Sequence, residues 1–335
     1  MSKNHKRFAS FALILVMLSV LFVGCAKPAS TGEKPTSPAE KAKKAALLLS
    51  GPINDGGWNT DAYNGLMKLK TLGYEVAYTE NVQQADQDSV IRGYAKQGFT
   101  LIVGHGFEYG DSLAKVAKDY PQIKFFHMGG NAVNGTNLAS GVFRLGDLSY
   151  VAAGIAARTT KTNKIGFVGA MAIPTIETEV VAIKERVKEV NSRASVTVAY
   201  TGSWSDINKG KEAALAQISN GVDVIIGIGD ACDAGAIQAC KEKGVKFIGW
   251  SGDLNSLAPE IVLTSGVQSV SGIIEGIGKE VLDNKFVAKN TIFGMAEGKA
   301  FLGTFSTSIS PAVKEKAIKE SEDIVSGTIK LPNRN

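Results

Sequence analysis

From Lys44 onward, short apolar runs alternate with longer stretches whose apolar positions recur every three or four residues. The short runs have the length and Gly/Pro flanks of strands buried on both faces, and the longer stretches have the helical period. Lys44 to Gly51 (KAALLLSG) predicts a strand, and Asn59 to Leu72 a helix with Ala62, Leu66 and Leu69 on one face. Tyr74 to Glu80 alternates as a strand does. Helix Gln84–Gln97, strand Thr100–Gly104, helix Asp111–Tyr120 (stopped by Pro121) and strand Lys124–His127 follow.

The same alternation then repeats. Asp147 is placed to cap a helix burying Leu148, Val151 and Ile155; Lys164–Val168 is a strand; Val180, Ile183, Val187 and Val190 form the stripe of the next helix. Strand Ser195–Thr201, helix Asp206–Asn220, strand Val222–Gly227, helix Asp233–Lys243 and strand Lys246–Gly249 come next. Strand Ile261–Val267 and helix Gly272–Asn284 follow, and Ser310-Pro311 opens a last helix with Ser as N-cap. Two α/β units with doubly wound parallel sheets are expected, each just over a hundred residues. A chain of 335 residues is also longer than one core usually serves. Ligands of such sheets bind outside the strand C-termini, so the cleft between the two sets of strand ends is the expected site.

The first residues do not fit this pattern. Lys3, His5, Lys6 and Arg7 precede an uninterrupted apolar stretch from Phe8 to Val23. A basic segment, an apolar segment and a small residue describe a secretory signal, here residues 1–24. Leu21-Phe22-Val23-Gly24-Cys25 resembles the lipobox of bacterial lipoproteins, with Phe22 where Leu is usual. That resemblance implies a lipidated Cys25, a membrane anchor and a location on the extracytoplasmic face. Residues 25–43, rich in Pro, Ser, Thr, Lys and Ala, are expected to form a flexible tether.

Charge narrows the partners. The sequence carries 37 basic and 32 acidic side chains, for +5, and without Lys3, Lys6 and Arg7 the balance is 34 against 32, or +2. Nothing in that balance, nor any basic run interleaved with aromatics, points to nucleic acid. Apart from Cys25, only Cys232 and Cys240 remain. Eight residues apart on one helix is about 12 Å, too far for a disulfide, so both are expected as buried packing residues.

Candidate binding residues cluster just after strands. Asn54, Asp55, Trp58 and Asn59 crowd a helix start behind the first strand, where they read equally well as a capping loop or as a ligand surface. His105 and Gly106 follow the third strand, Trp204 follows the strand ending at Thr201, Asp230 follows Val222–Gly227, and Asp253 follows Lys246–Gly249. Two Trp from facing units, accompanied by acids, suit an uncharged aromatic heterocycle with donor groups rather than a phosphate or carboxylate.

The segments GPINDGGWNTDAYNGL, VGHGFEYGDSLAKVAKDYP, NKIGFVGAMAIP, GSWSDINKGKEAA, GVDVIIGIGDACDAGAIQACKEKGVKFIGWSGD and FGMAEG resemble the basic membrane protein family of bacterial lipoproteins. These are substrate-binding components of ABC importers for purine nucleosides and related bases. The resemblance implies a type I periplasmic-binding-protein-like fold: two domains, joined by a three-strand hinge, that close on ligand. It divides the chain into 44–145 with 252–288, and 146–251 with 289–335. It implies that Asn54, Asp55 and Trp58 hold the base, that Trp204 stacks on its other face, that Asp253 accepts from ribose hydroxyls, and that His105, Gly106 and Asp230 line the pocket. The expected ligand is a purine nucleoside; Gln268 stands where nucleoside-binding members carry a Lys, which leaves room for a free purine base as the alternative. A monomer delivering its ligand to a permease and its ATPase is expected, with neither cofactor nor metal.

Other readings fit less well. The glycines from Gly104 to Gly110 follow a strand, but Glu108 would face a dinucleotide pyrophosphate, and no Walker A or nucleophile-elbow pattern is present. A metal- or signal-sensing receptor would have to rely on His105 and His127, fewer ligands than zinc sites use.

Overall fold

Two six-stranded sheets of matching strand order carry the molecule. The structure is a computed structural model describing residues 43–335; the signal segment, Cys25 and most of the expected tether lie outside the described residues. The first sheet contains β1 (Lys44–Leu49), β2 (Glu75–Thr79), β3 (Leu101–His105), β4 (Lys124–Met128), β5 (Leu138–Phe143) and β11 (Asn290–Phe293), ordered β11-β5-β4-β3-β1-β2. The second contains β6 (Lys164–Gly169), β7 (Ser195–Tyr200), β8 (Val224–Ile228), β9 (Lys246–Ser251), β10 (Val262–Gln268) and β12 (Ala300–Leu302), ordered β12-β10-β9-β8-β6-β7. Every neighbour pairs in parallel except β10 and β12.

The apolar runs are continuous because each strand feeds two cores. In β1, Ala45, Leu47 and Leu49 pack beneath α1 (Trp58–Thr71) and α8 (Val270–Leu282). Ala46 and Leu48 face the opposite layer, with Ile91 of α2 (Gln87–Lys96) and Leu113 of α3 (Gly110–Ala117). In the second sheet, Ile165 and Phe167 lie against α4 (Asp147–Thr159) and α5 (Pro174–Val190), while Val168 faces α6 (Ile207–Ser219) and α7 (Ala231–Lys243). The last helix, α9 (Pro311–Val325), starts as expected, with Ser310 Oγ accepting the Val313 N–H at 3.3 Å.

The chain passes between the sheets three times: from β5 to α4, from β10 to α8, and from β11 to β12. Sheet membership differs from the sequence division at these passages. β10 lies inside the expected 252–288 segment yet pairs with β9 in the second sheet, and β11 pairs with β5 in the first. The first sheet therefore exceeds the four strands predicted for it, by β5 and by an edge strand returning late in the chain. Asp147 does not cap α4: it is buried, and its carboxylate accepts the Met295 N–H at 3.1 Å, tying the first passage to the third.

Candidate ligand-binding cleft

Strand ends from both sheets surround one cavity of about 800 Å³. Of the residues singled out in the sequence, Asp55, Trp58, Asn59, His105, Gly106, Trp204, Asp230 and Gln268 line it. Asn54 is exposed outside it. Asp253 is also outside: Thr304 donates to its carboxylate from the backbone at 2.9 Å and from Oγ1 at 2.6 Å, so it fixes the loop after β12.

On the first lobe the loop before α1 is built around Asp55. Its carboxylate accepts the backbone N–H groups of Gly57, Asn59 and Thr60 and the Asn59 side-chain amide, all at 2.8–3.0 Å. The capping role thus absorbs Asp55, and Asp55 in turn aims Asn59 and Trp58. Trp58 stacks on His105 with ring centroids 4.3 Å apart and planes 28° from parallel, and meets Phe143 edge-on at 6.2 Å. His105 Nε2 donates to the Trp58 carbonyl at 3.1 Å, and burial lowers its pKa to about 3, so the ring is neutral. His127 is neutral too, pushed down by burial; it donates to the Gly106 carbonyl at 3.0 Å and accepts the Ala132 N–H at 3.2 Å. Both histidines hold backbone, and among the described residues no group of three His, Cys, Asp or Glu could bind a metal.

On the second lobe, Trp204 and Asp230 sit ahead of α6 and α7. Those helices touch through glycine: a β-carbon at Gly210 would stand 2.0 Å from the Cys232 carbonyl oxygen, and one at Gly235 1.8 Å from that of Ile207. Cys232 and Cys240 are free and buried, as expected. Cys232 also does more than pack. Its thiol lies 3.0 Å from the Ser203 carbonyl and 3.1 Å from that of Asp206, bracketing the Trp204 loop. Asp230 and Ser251, at the ends of β8 and β9, both adopt positive φ, +50° and +63°. Such conformations cost roughly 1–3 kcal/mol in a non-glycine residue and tend to persist at functional sites.

The lobes meet beside this wall. A β-carbon at Gly252 would stand 3.0 Å from the Gly56 carbonyl oxygen, and one at Gly57 3.6 Å from Asp230 Oδ1. Residues that sequence reasoning missed also line the cavity. Ser50, Asn81 and Ser251 lie at or just past strand ends, so the strand-end rule would have found them. Glu108 hydrogen-bonds Ser50, and burial raises its pKa. Glu179 and Asn335 arrive without any local signal. Glu179 accepts from Ser149 Oγ and the Gly146 N–H, and Asn335 donates to the Phe143 carbonyl at 2.7 Å, so both fasten the first passage between lobes.

A family model described as "ABC transporter substrate-binding protein PnrA-like" matches residues 42–335. The chain belongs to this family. The PnrA-like proteins are substrate-binding components of ABC transporters and not enzymes. A purine-binding protein of Brucella abortus is 31% identical over 87% of this chain and 83% of its own length. The ABC transporter nucleoside-binding protein BmpA of Lactococcus lactis is 27% identical over 98% of this chain and 99% of its own. The fold is shared with an ABC transporter solute-binding protein from Aeropyrum pernix, at a TM-score of 0.78 and 22% identity, covering 87% of this chain and 93% of that one. Among the described residues no helix is long and apolar enough to cross a membrane.

Proposed function

We propose that this protein captures a purine between its two lobes, outside the cytoplasm, and hands it to an ABC permease driven by a cytoplasmic ATPase. The observation that carries the reading is the pair of indoles, Trp58 from the first lobe and Trp204 from the second, lining one cavity whose other polar groups are mostly neutral or acidic. Indoles favour a flat π-system, and Asn59 and Asp230 suit its N–H and ring-nitrogen edges. Relatives named for purine and nucleoside binding point the same way. A free base is the better supported form, because Asp253 lies outside the cavity, where Thr304 donates to its carboxylate, and Gln268 brings no cation. A nucleoside is the second reading, favoured by a cavity in the upper part of the range for small-molecule sites.

Ligand contacts on both lobes make capture shift the protein towards its closed form, since only differential affinity moves such an equilibrium. The lipid anchor belongs to the same proposal: acylated Cys25 would hold the protein at the membrane, and palmitate labelling should vanish in Cys25→Ala. For the ligand, tryptophan fluorescence should respond to adenine, hypoxanthine or guanine more strongly than to adenosine, inosine or guanosine. Mass spectrometry of small molecules released by denaturing the purified protein should find a purine. Silence across that panel together with a non-purine occupant would overturn the reading.

A further inference from the structure

Asp230 stands at the contact between lobes, where the Gly56–Gly57 backbone covers it. The groups facing it are Asp55 from the loop before α1, Asp233 from the start of α7, and the Ser251 hydroxyl at the end of β9. Asp206, beside them at the start of α6, is occupied in capping Asn208 and Lys209. His105 on β3, near Asp55, is neutral. Arg334, the one Lys or Arg among the described residues that line the cavity, is paired with Glu185. Both Asp233 oxygens are buried without a hydrogen-bond partner among the described residues. Asp230 is half-buried in the cavity wall beside Asp55, so a ligand that fills the cavity takes it out of water with no cation from the described lining residues arriving to offset its charge.

We propose that closure over the ligand takes up one proton at Asp230, and that the resulting neutral carboxyl reads a purine edge presenting a ring nitrogen beside an N–H. The proton comes from solvent and ends on a carboxylate oxygen; no other bond changes. A neutral carboxyl offers one O–H donor next to one C=O acceptor, the complement of such an edge, whereas a carboxylate only accepts and would repel the ring-nitrogen lone pair. Burial, reinforced by the facing Asp55, pushes Asp230 up to about 7, so in the closed form the proton is held at near-neutral pH. The strained backbone, φ +50° and ψ −120°, is the conformation that aims this side chain at the cleft.

The inference rests on the purine reading, and its test separates the two. Adenine and adenosine are titrated calorimetrically into the whole protein from mildly acidic to alkaline pH, in buffers of different ionisation enthalpy. Affinity should fall by up to about tenfold per pH unit between the open-form and closed-form pKa of Asp230, with heats that report proton uptake in that window, and level off above it. Asp230→Asn should flatten the pH dependence and abolish the uptake. Purine binding with pH-independent affinity and buffer-independent heat overturns this inference alone. Uptake that survives Asp230→Asn but is lost in Asp233→Asn overturns the assignment to Asp230. If none of adenine, hypoxanthine, guanine and their nucleosides binds at any pH and the released occupant is not a purine, the purine reading falls and takes the inference with it. The wild-type buffer series decides even if a variant does not fold.

Discussion

The two lobes share a strand order but bring different chemistry to the cleft. The first lobe presents a finished surface: Asp55 satisfies the start of α1, Trp58 is already stacked on His105, and His105 is locked to the Trp58 carbonyl. The second lobe presents an incomplete one. No aromatic ring among the described residues stacks on Trp204, Asp230 and Ser251 hold positive-φ backbone, and Asp233 is buried without partners. A rigid face and an unsatisfied face divide the labour. The first gives the ligand a preorganised platform, which lowers the ordering cost of binding. On the proposed reading the second gains a stacking partner for Trp204 when a purine enters, which would make closure depend on ligand.

Replacing the two indoles would break this contrast most visibly. Trp204→Ala should weaken purine binding by about 1–3 kcal/mol, the range for losing a base-stacking aromatic, and lower the melting temperature less than Trp58→Ala, because Trp204 packs on its core but stacks on no ring among the described residues. Trp58→Ala should weaken binding and also lower the melting temperature, because His105 and Phe143 lose their neighbour. Equal behaviour of the two variants in titration and thermal melts would erase the distinction, and an unaffected Trp204→Ala would remove the sandwich.

Asp55→Ala tests whether the first lobe's platform is preorganised. Loss of a helix-start cap costs about 0.5–2 kcal/mol of stability, read in a denaturant melt. Affinity should drop as well, although Asp55 has no oxygen left over for a ligand, because Asn59 and Trp58 lose their support. Unchanged affinity would mean that the loop is ordered by the ligand instead.

The smallest net effect is expected from pH, because buried histidines and buried carboxyls pull in opposite directions. His105 is lowered to about 3 by burial, so the folded state binds fewer protons than the unfolded one and loses stability as pH falls from 6.5 towards 3. Asp230 and Glu179 are each raised to about 7, chiefly by burial, so the folded state binds more protons and gains stability as pH falls from about 7 towards 4. The melting temperature of the purine-loaded wild type should vary little across that window. Asp230→Asn should shift the profile towards acid sensitivity, and His105→Gln should shift it towards stabilisation on acidification; profiles that stay parallel to wild type would refute the opposition.

How far the sequence reached varies element by element. Strand β1 and the α5 stripe of Val180, Ile183 and Val187 were legible because periodicity reports burial directly. Strand β5 was not, because Leu138–Phe143 includes Ser140 and Gly141 and lacks a continuous apolar run; its burial comes from β4 and β11 on either side. Strands β11 and β12 are four and three residues long, too short for any period to register. Trp58, His105, Trp204 and Asp230 were found because a doubly wound sheet exposes its strand ends in one place. Asp253 obeyed the same rule and was still misplaced, since Thr304, fifty-one residues later, captures its carboxylate.

The sequence alone determined that there would be two doubly wound units with their strand ends at a shared cleft, because alternation of burial with period is a local property of the chain. Only the tertiary structure decided which late strand joins which sheet, that Asp55 and Asp253 are consumed by the scaffold, and that Asp230 faces Asp55 across the lobes. Those outcomes depend on which groups meet after folding and on how little water is left between them, and neither quantity is written in any local stretch of residues.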